Sequence, residues 1–254
     1  MQLNYKVAGD GPPLVVLHGL MGSLDNWQSL SRALSTEMKV YLVDQRNHGL
    51  SPHTDHISYP LMAADLLEFF DQQGIAKAHV LGHSMGGKTA MEFTLRHSER
   101  VEKQIIADMA PKPYNRHHDD VFAALFAVDL SKVSSRGEVE EIMKEKMPDA
   151  GMRQFLLKSL DRTPEGAYEW KINLQVLYDD YDEIIKNVTA GWTADNETLV
   201  IKGGNSNYIK PGDLELFRKY FPYTELVTIE NAGHWVHAEA PSLFLEAVRN
   251  FLIP

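Results

Sequence analysis

Apolar residues arrive along this chain in two formats. Short continuous runs alternate with longer stretches in which they recur every three or four positions. The first segment alternates (Leu3, Tyr5, Val7) and breaks at Gly9-Asp10-Gly11-Pro12-Pro13, which predicts a strand and a turn. Leu14-Val15-Val16-Leu17 follows, then Val40–Val43, Val80-Leu81, Ile105–Ala107, Thr198–Ile201 and Leu226–Ile229. Continuous runs of this kind suit parallel strands covered on both faces. Helical spacing lies between them. Asp25 or Asn26 is the expected cap of a helix with Trp27, Leu30 and Leu34 as its apolar positions. A helix is predicted from Tyr59 to Gln73, with Leu61, Ala64, Leu67 and Phe70 inward and Gly74 as its stop. Others are predicted from Met85 to about His97, near 213–220, and from Ser242 to Leu252.

Strand, helix, strand, helix is the rhythm of an α/β, doubly wound, mostly parallel sheet. It fails between about Pro113 and Thr193, where helical patterns occur at 121–128, 138–146, 152–160 and around 178–185, with no convincing core strand. The expected organisation is one core built from residues 1–112 and 194–254, with residues 113–193 inserted as a helical cap or lid. A chain of 254 residues has room for one such domain rather than two independent cores.

Composition narrows the function classes. Lysine and arginine number 25 against 35 aspartates and glutamates, a net charge of −10, so the basic footprint of a nucleic-acid binder is missing. There is no cysteine, which removes disulfides, thiolate metal sites and a cysteine nucleophile. No window approaches the roughly 18 apolar residues of a membrane span. The opening residues lack a basic start and an apolar stretch, so a cytoplasmic location is expected.

Gly82-His83-Ser84-Met85-Gly86 is a G-x-S-x-G motif between a short apolar strand and a helix pattern. That context is what a nucleophile elbow requires: a strained serine on a tight turn, glycine on either side where side chains would clash, and a helix N-terminus beyond. Three further segments accompany it: His18-Gly19, Asp44–Ser51 (DQRNHGLS), and Gly233–Pro241 (GHWVHAEAP). Together they resemble the α/β-hydrolase superfamily over essentially the whole chain. HGLMGSLDNW, DQRNHGLSPH, GHSMGGK, GGNSNYI and AGHWVHAE resemble the YbfF-type esterases in particular. That resemblance implies a cytoplasmic esterase with a helical cap, acting on acyl esters and on thioesters, with no cofactor.

A serine hydroxyl attacks only if its proton is removed, and histidine is the usual agent. Of eleven histidines, His234 lies in a loop after the last predicted strand, late in the chain, as hydrolase order demands. His237 is its near rival, with a solvent-facing or locally bonded side chain as the competing reading. His18 and His48 read as structural, and His83 as a pocket residue. The acid departs from the commonest pattern. Aligning G-x-x-D on Gly203-Gly204-Asn205-Ser206 puts Ser206 where an aspartate is usual. Serine carries no charge to balance an imidazolium, so Asp108, which closes the strand after the elbow, is the expected anion. Ser206 then supplies an orienting hydrogen bond. A turn former ahead of Pro111 competes for Asp108, and a plain loop residue for Ser206. The N–H groups of Met85 and Leu20 are the expected oxyanion donors.

Met21, Trp27, Met85, Trp192 and Trp235 fall in or near the predicted site loops or at the end of the lid, and suit an apolar acyl pocket, with core packing as the alternative. The substrate-binding set is Met21, Trp27, His83, Trp192 and Trp235. Lid positions Phe122, Leu125, Phe126, Phe155, Leu156 and Leu160 should mostly pack against the domain. At 116–120, Arg-His-His-Asp-Asp is a poor metal site because adjacent side chains seldom converge. Arg46, Lys88 and Arg116 are candidates for an anionic leaving group such as a CoA phosphate, against a solvated-surface alternative. The expected partner is a small acyl ester or thioester. Acyl length and oligomeric state are open, and a non-catalytic receptor on the same fold is the reading from another class.

Overall fold

Seven strands form one sheet, and its topology places the chemistry-bearing loops side by side. The computed structural model describes residues 1–189 and 191–253. Ala190 and Pro254, which fall in the expected lid and core segments, lie outside the described residues. The strands are β1 (Tyr5–Ala8), β2 (Pro13–Leu17), β3 (Lys39–Val43), β4 (Ala78–His83), β5 (Val101–Ala107), β8 (Glu197–Gly203) and β9 (Thr224–Ile229). Their order is β1-β3-β2-β4-β5-β8-β9. Only β1 runs antiparallel, pairing with β3. A short antiparallel pair, β6 (Leu160–Arg162) and β7 (Tyr168–Trp170), stands apart from this sheet.

Strand alternation sends successive residues into two layers. Val15, Leu17, Val80, Ile106 and Val200 pack with α2 (Tyr59–Gln72), α3 (Met85–Arg96) and α9 (Asp213–Tyr220). Leu14, Val16, Leu81, Ile105, Leu199 and Ile201 pack with α1 (Gln28–Leu34) and α11 (Pro241–Leu252). The strands read as unbroken apolar runs because both faces are covered.

The helices between β5 and β8 are α4 (Asp119–Phe126), α5 (Arg136–Lys144), α6 (Ala150–Leu156), α7 (Leu174–Asp179) and α8 (Tyr181–Ile185). Their apolar faces form a third cluster that includes Met21, Ile57, Tyr59, Met62 and Met85. This insertion therefore shares buried side chains with the loops at the carboxyl ends of the strands. Phe126, contrary to the expectation that it packs inward, is exposed and edge-on to Tyr178.

Two local expectations are corrected. Ser23 caps a short 3₁₀ turn at Leu24–Trp27, so neither Asp25 nor Asn26 starts a regular helix there. In α2 the buried face is Tyr59, Met62, Ala63, Asp65, Leu66, Phe69 and Phe70, whereas Leu61 and Ala64 are exposed and Leu67 is half-buried. The face was misread because it contains a carboxylate. Asp65 is drawn inward by Arg46, whose Nε and Nη2 reach its two oxygens at 2.6 and 2.8 Å. The pair is nearly sealed from solvent on both sides, and Arg46 Nη1 also donates to His56 O at 3.1 Å.

The segment after β3 is built around such contacts. Asp44 accepts from the N–H groups of Leu24 and Leu50 at 2.7 and 3.0 Å, and from Asn4 Nδ2 at 2.7 Å. Gly49, at φ +60°, passes so close that a Cβ there would lie 2.1 Å from Asp44 Oδ2.

Removing one partner of a buried ion pair strands the other. Asp65→Ala should therefore destabilise the fold by about 3–5 kcal/mol in urea unfolding. A loss under about 1 kcal/mol would mean the pair is solvated in solution.

Candidate active site

Ser84, Asp108 and the loop carrying His234 follow β4, β5 and β9 respectively, all at the carboxyl edge of the sheet. Loops leaving parallel strands at that edge converge, which is the usual place for a site in an open α/β sheet. Ser84 is held at φ 53°, ψ −117°, between the end of β4 and the first residue of α3. The turn is possible only because its flanks are bare. A Cβ on Gly82 would lie 2.0 Å from Gly86 O, and one on Gly86 would lie 2.4 Å from Leu17 O.

Asp108 is also a left-handed residue, at φ 49°, and it is completely buried. A buried carboxylate must be hydrogen-bonded. Its Oδ1 accepts the Gly203 N–H at 3.1 Å, and its Oδ2 accepts His234 Nδ1–H at 2.8 Å together with the Ser206 hydroxyl. The orienting hydrogen bond expected of Ser206 thus goes to the carboxylate. The Tyr208 N–H in turn donates to Ser206 Oγ at 3.2 Å. With Nδ1 taken by Asp108, Nε2 is the remaining ring nitrogen, and His234 lines the same cavity as Ser84.

Three contacts that the sequence did not reveal fix the His234 loop. The Tyr208 ring stacks on the imidazole at 3.8 Å and 14°. His83 Nε2–H donates to His234 O at 2.9 Å. Glu239 accepts the N–H groups of Gly233 and Trp235 at 2.7 and 3.2 Å. Tyr208 lies two residues beyond Ser206 in the unusual GGNSNYI segment, which was the available signal. Glu239 lies within the AGHWVHAE segment but looks like ordinary helix polarity.

His18 and His48 have structural roles. His18 accepts the Gln45 N–H at 3.0 Å through Nε2 and donates to Gly19 O at 2.8 Å through Nδ1. His48 donates to Arg46 O at 2.9 Å and accepts the Met21 N–H at 3.1 Å. That last bond occupies the Met21 amide and leaves the preceding Leu20 amide as the available donor in this loop. Met85 opens α3, where the first N–H groups have no intrahelical acceptor.

A cavity of about 360 Å³ lies at this edge. Ser84 and His234 border it, as do the expected pocket residues Met21, Trp27, His83 and Trp235. Trp192 does not. It is 58% exposed, with Arg96 5.8 Å from its ring. The chain turns away after the lid before rejoining the sheet, so nearness in sequence misled there. Phe155, on the inserted helix α6, lines the cavity 5.8 Å from Trp235. His237 is buried beneath it, stacked on Trp27 at 4.2 Å and 10°, so a solvent-facing position for it is also corrected.

The three cations considered for an anionic leaving group are committed elsewhere. Arg46 holds Asp65, and Arg116 pairs with Asp119 and Asp182. Lys88, far from being solvated surface, is buried in α3 and donates to the carbonyls of Ile185, at 3.1 Å, and of Lys186. Burial pushes its ammonium down to about 7. His117 and His118 bond tyrosine hydroxyls of Tyr208 and Tyr181. Among the described residues, no group of three or more potential ligands is arranged for a metal, and no helix is long and apolar enough to cross a membrane.

Burial also dominates the imidazoles around the site. It pushes His48 down to about 3, with His18 adding, and His118 to about 3, with His117 and His234 adding. His237 falls to about 3 by burial, reinforced by His234 and Lys158, and His83 is held well below its usual value for the same reason. His83, His118 and His237 are among the residues that line the cavity.

Comparison with known proteins places the fold among known relatives. Residues 12–127 match the family described as alpha/beta hydrolase fold. Esterase YbfF of Escherichia coli (strain K12) is 42% identical over 99% of both chains. The mouse sn-1-specific diacylglycerol lipase ABHD11 is 36% identical, over 99% of this chain and 85% of that protein. A solved structure titled a marine microorganism esterase superposes with a TM-score of 0.96 at 41% identity, covering 99% of both chains.

A histidine whose folded pKa is depressed lowers stability as pH falls below the unfolded value of about 6.5, because only the unfolded chain takes the proton. The loss continues until about pH 3, where folded His237 also titrates. His237→Phe, which keeps a ring against Trp27, should flatten the decline between pH 6.5 and 4 by up to about 1.4 kcal/mol per pH unit. Urea midpoints at pH 7, 5.5 and 4 measure it. Parallel declines in the two proteins would show that His237 is not held neutral.

Proposed function

The chain belongs to the α/β-hydrolase family, and on that premise we propose that it is a serine carboxylic-ester hydrolase acting on short- to medium-chain acyl esters through an acyl-enzyme intermediate. The observation that carries the reading is the 2.8 Å bond from His234 Nδ1 to the buried Asp108 carboxylate, in a loop that shares its cavity with Ser84. The names of the relatives, esterase and lipase, support the same reaction class.

In this reading Ser84 Oγ attacks the ester carbonyl as His234 Nε2 takes its proton. Charge then develops on the carbonyl oxygen, met by the N–H groups of Leu20 and Met85, each worth about 3–4 kcal/mol in such a site. The imidazolium returns its proton to the departing alkoxide. Water, activated by the same imidazole, attacks the acyl-serine and releases the acid. Asp108 keeps the ring in the tautomer with a free Nε2 and balances its transient cation. Ser206 and the Gly203 N–H hold that carboxylate, and Tyr208 and His83 hold the ring and its backbone in place.

The 113–193 segment acts as the cap over this site, bringing Phe155 to the wall of the cavity. An acyl-CoA thioesterase would use the same groups. Arg46, Lys88 and Arg116 are held by protein partners, and Lys158 is the cation in the cavity wall that an anionic leaving group would meet. A non-catalytic receptor would not need a buried carboxylate bonded to a histidine beside an elbow serine.

Unequal penalties are expected from the two residues on the carboxylate. Asp108→Asn should lower kcat by about 10⁴, since the tautomer is lost with the charge. Ser206→Ala should cost about 1–2 kcal/mol, roughly tenfold. Steady-state hydrolysis of p-nitrophenyl butyrate measures both, and equal mild losses would remove Asp108 from the relay. A fluorophosphonate probe should label Ser84 covalently in the folded protein, and absence of labelling would favour the receptor.

A further inference from the structure

Two separate spaces meet at Ser84. The first is the cavity of about 360 Å³. The second, of about 20 Å³, also touches Ser84 and Leu20 but lies on the α3 side, against Met85, Met109, Tyr114 and Ile184. His234 borders the larger space and is not part of the smaller one's lining, whereas Met85 borders only the smaller. An ester held for attack has three arms at its carbonyl carbon. The carbonyl oxygen turns to the Leu20 and Met85 amides. The leaving oxygen must come within reach of the histidine that protonates it, so it and its alkyl group occupy the space that His234 borders. The acyl chain is left with the other.

We infer that this esterase is built for acetyl-scale acyl groups on bulky apolar alcohols: the acyl methyl enters the small space beside Met85, and the alcohol fills the large cavity lined by Leu20, Met21, Trp27, Val121, Phe155 and Trp235. The inference rests on the proposed function and narrows its acyl range to the short end. A space of about 20 Å³ takes one water-sized group, which is the size of a methyl and not of a hexyl chain. The larger space falls in the range of ordinary ligand pockets.

The small space is also held shut. Lys88 Nζ, on the second turn of the elbow helix, donates to the carbonyls of Ile185 and Lys186 at the end of α8, and lies 4.8 Å from the Tyr114 ring. The Tyr114 hydroxyl accepts the Ala110 N–H at 2.9 Å and donates to Tyr208 O at 3.0 Å. Widening the space by moving α8 or Tyr114 would break buried polar contacts, a cost that no added methylene of substrate recovers.

Two substrate series on the intact protein separate the arms. In the first, p-nitrophenyl esters keep the alcohol fixed and lengthen the acyl group from acetate through butyrate to octanoate. In the second, acetates keep the acyl group fixed and enlarge the alcohol from ethyl to octyl and 1-naphthyl, with acid release followed by titration. The expected result is a fall in kcat/KM of about 100-fold or more across the first series and no fall across the second. Ile184→Val and Ile184→Ala, at the far wall, should raise the butyrate-to-acetate ratio about tenfold in the larger truncation. A flat acyl series, or a fall confined to the alcohol series, overturns the inference while leaving the esterase reading intact, as does an Ile184→Ala protein that folds with an unchanged ratio. Failure of every ester together with failure of fluorophosphonate to label Ser84 overturns the esterase reading and this inference with it.

Discussion

The arrangement depends on one buried carboxylate. Asp108 has no access to water, and an ion in that position is tolerated only when its lone pairs are taken by donors. It receives three: the Gly203 amide, the Ser206 hydroxyl and the His234 ring. Those donors belong to two loops, after β8 and after β9, while the acid itself follows β5. Satisfying Asp108 therefore ties three strand ends together. One of the donors that satisfy the anion is the imidazole itself, so the bond that stabilises the buried charge also fixes one nitrogen of the His234 ring.

Around that centre several charged groups are bound to protein partners, while Asp149, Lys158 and Glu239 remain in the cavity wall. Arg46 is sealed against Asp65, Lys88 against backbone carbonyls, and the imidazoles of His48, His83, His118 and His237 are kept neutral by burial. The cavity presents mostly apolar side chains from the core and from the inserted helices. Because those helices share their buried cluster with Met21 and Met85, the roof of the site is continuous with the loops that carry the proposed oxyanion donors. A change in lid packing would reach the chemistry through those two methionines.

Much of this was legible in the residues. Unbroken runs such as Leu14–Leu17 and Thr198–Ile201 announced strands covered on both sides, and the failure of the rhythm after Pro113 marked where helices replace them. The elbow at Ser84 could be read because its physics is local: two glycines and a serine within five residues, with a strand before and a helix after. Asp108 and His234 were readable because each ends a strand pattern in a definite chain order. Ser206 stood out only as the residue occupying an acid's usual place.

What stayed hidden was hidden for physical reasons. Asp65 on the inner face of α2 broke the apolar periodicity because its partner, Arg46, is remote in sequence. Trp192 is close to the lid boundary in sequence and remote from the cavity in space. Tyr208, stacked on the imidazole, and Glu239, holding its loop, carry no pattern of their own. The sequence by itself determined which segments form strands and helices and which side chains hold reactive groups, since these follow from neighbours along the chain. The tertiary structure alone decided which oxygen Ser206 meets, which rings flank His234, and how the space at Ser84 divides into a small and a large chamber. Those depend on distances between residues that only the packed sheet brings together.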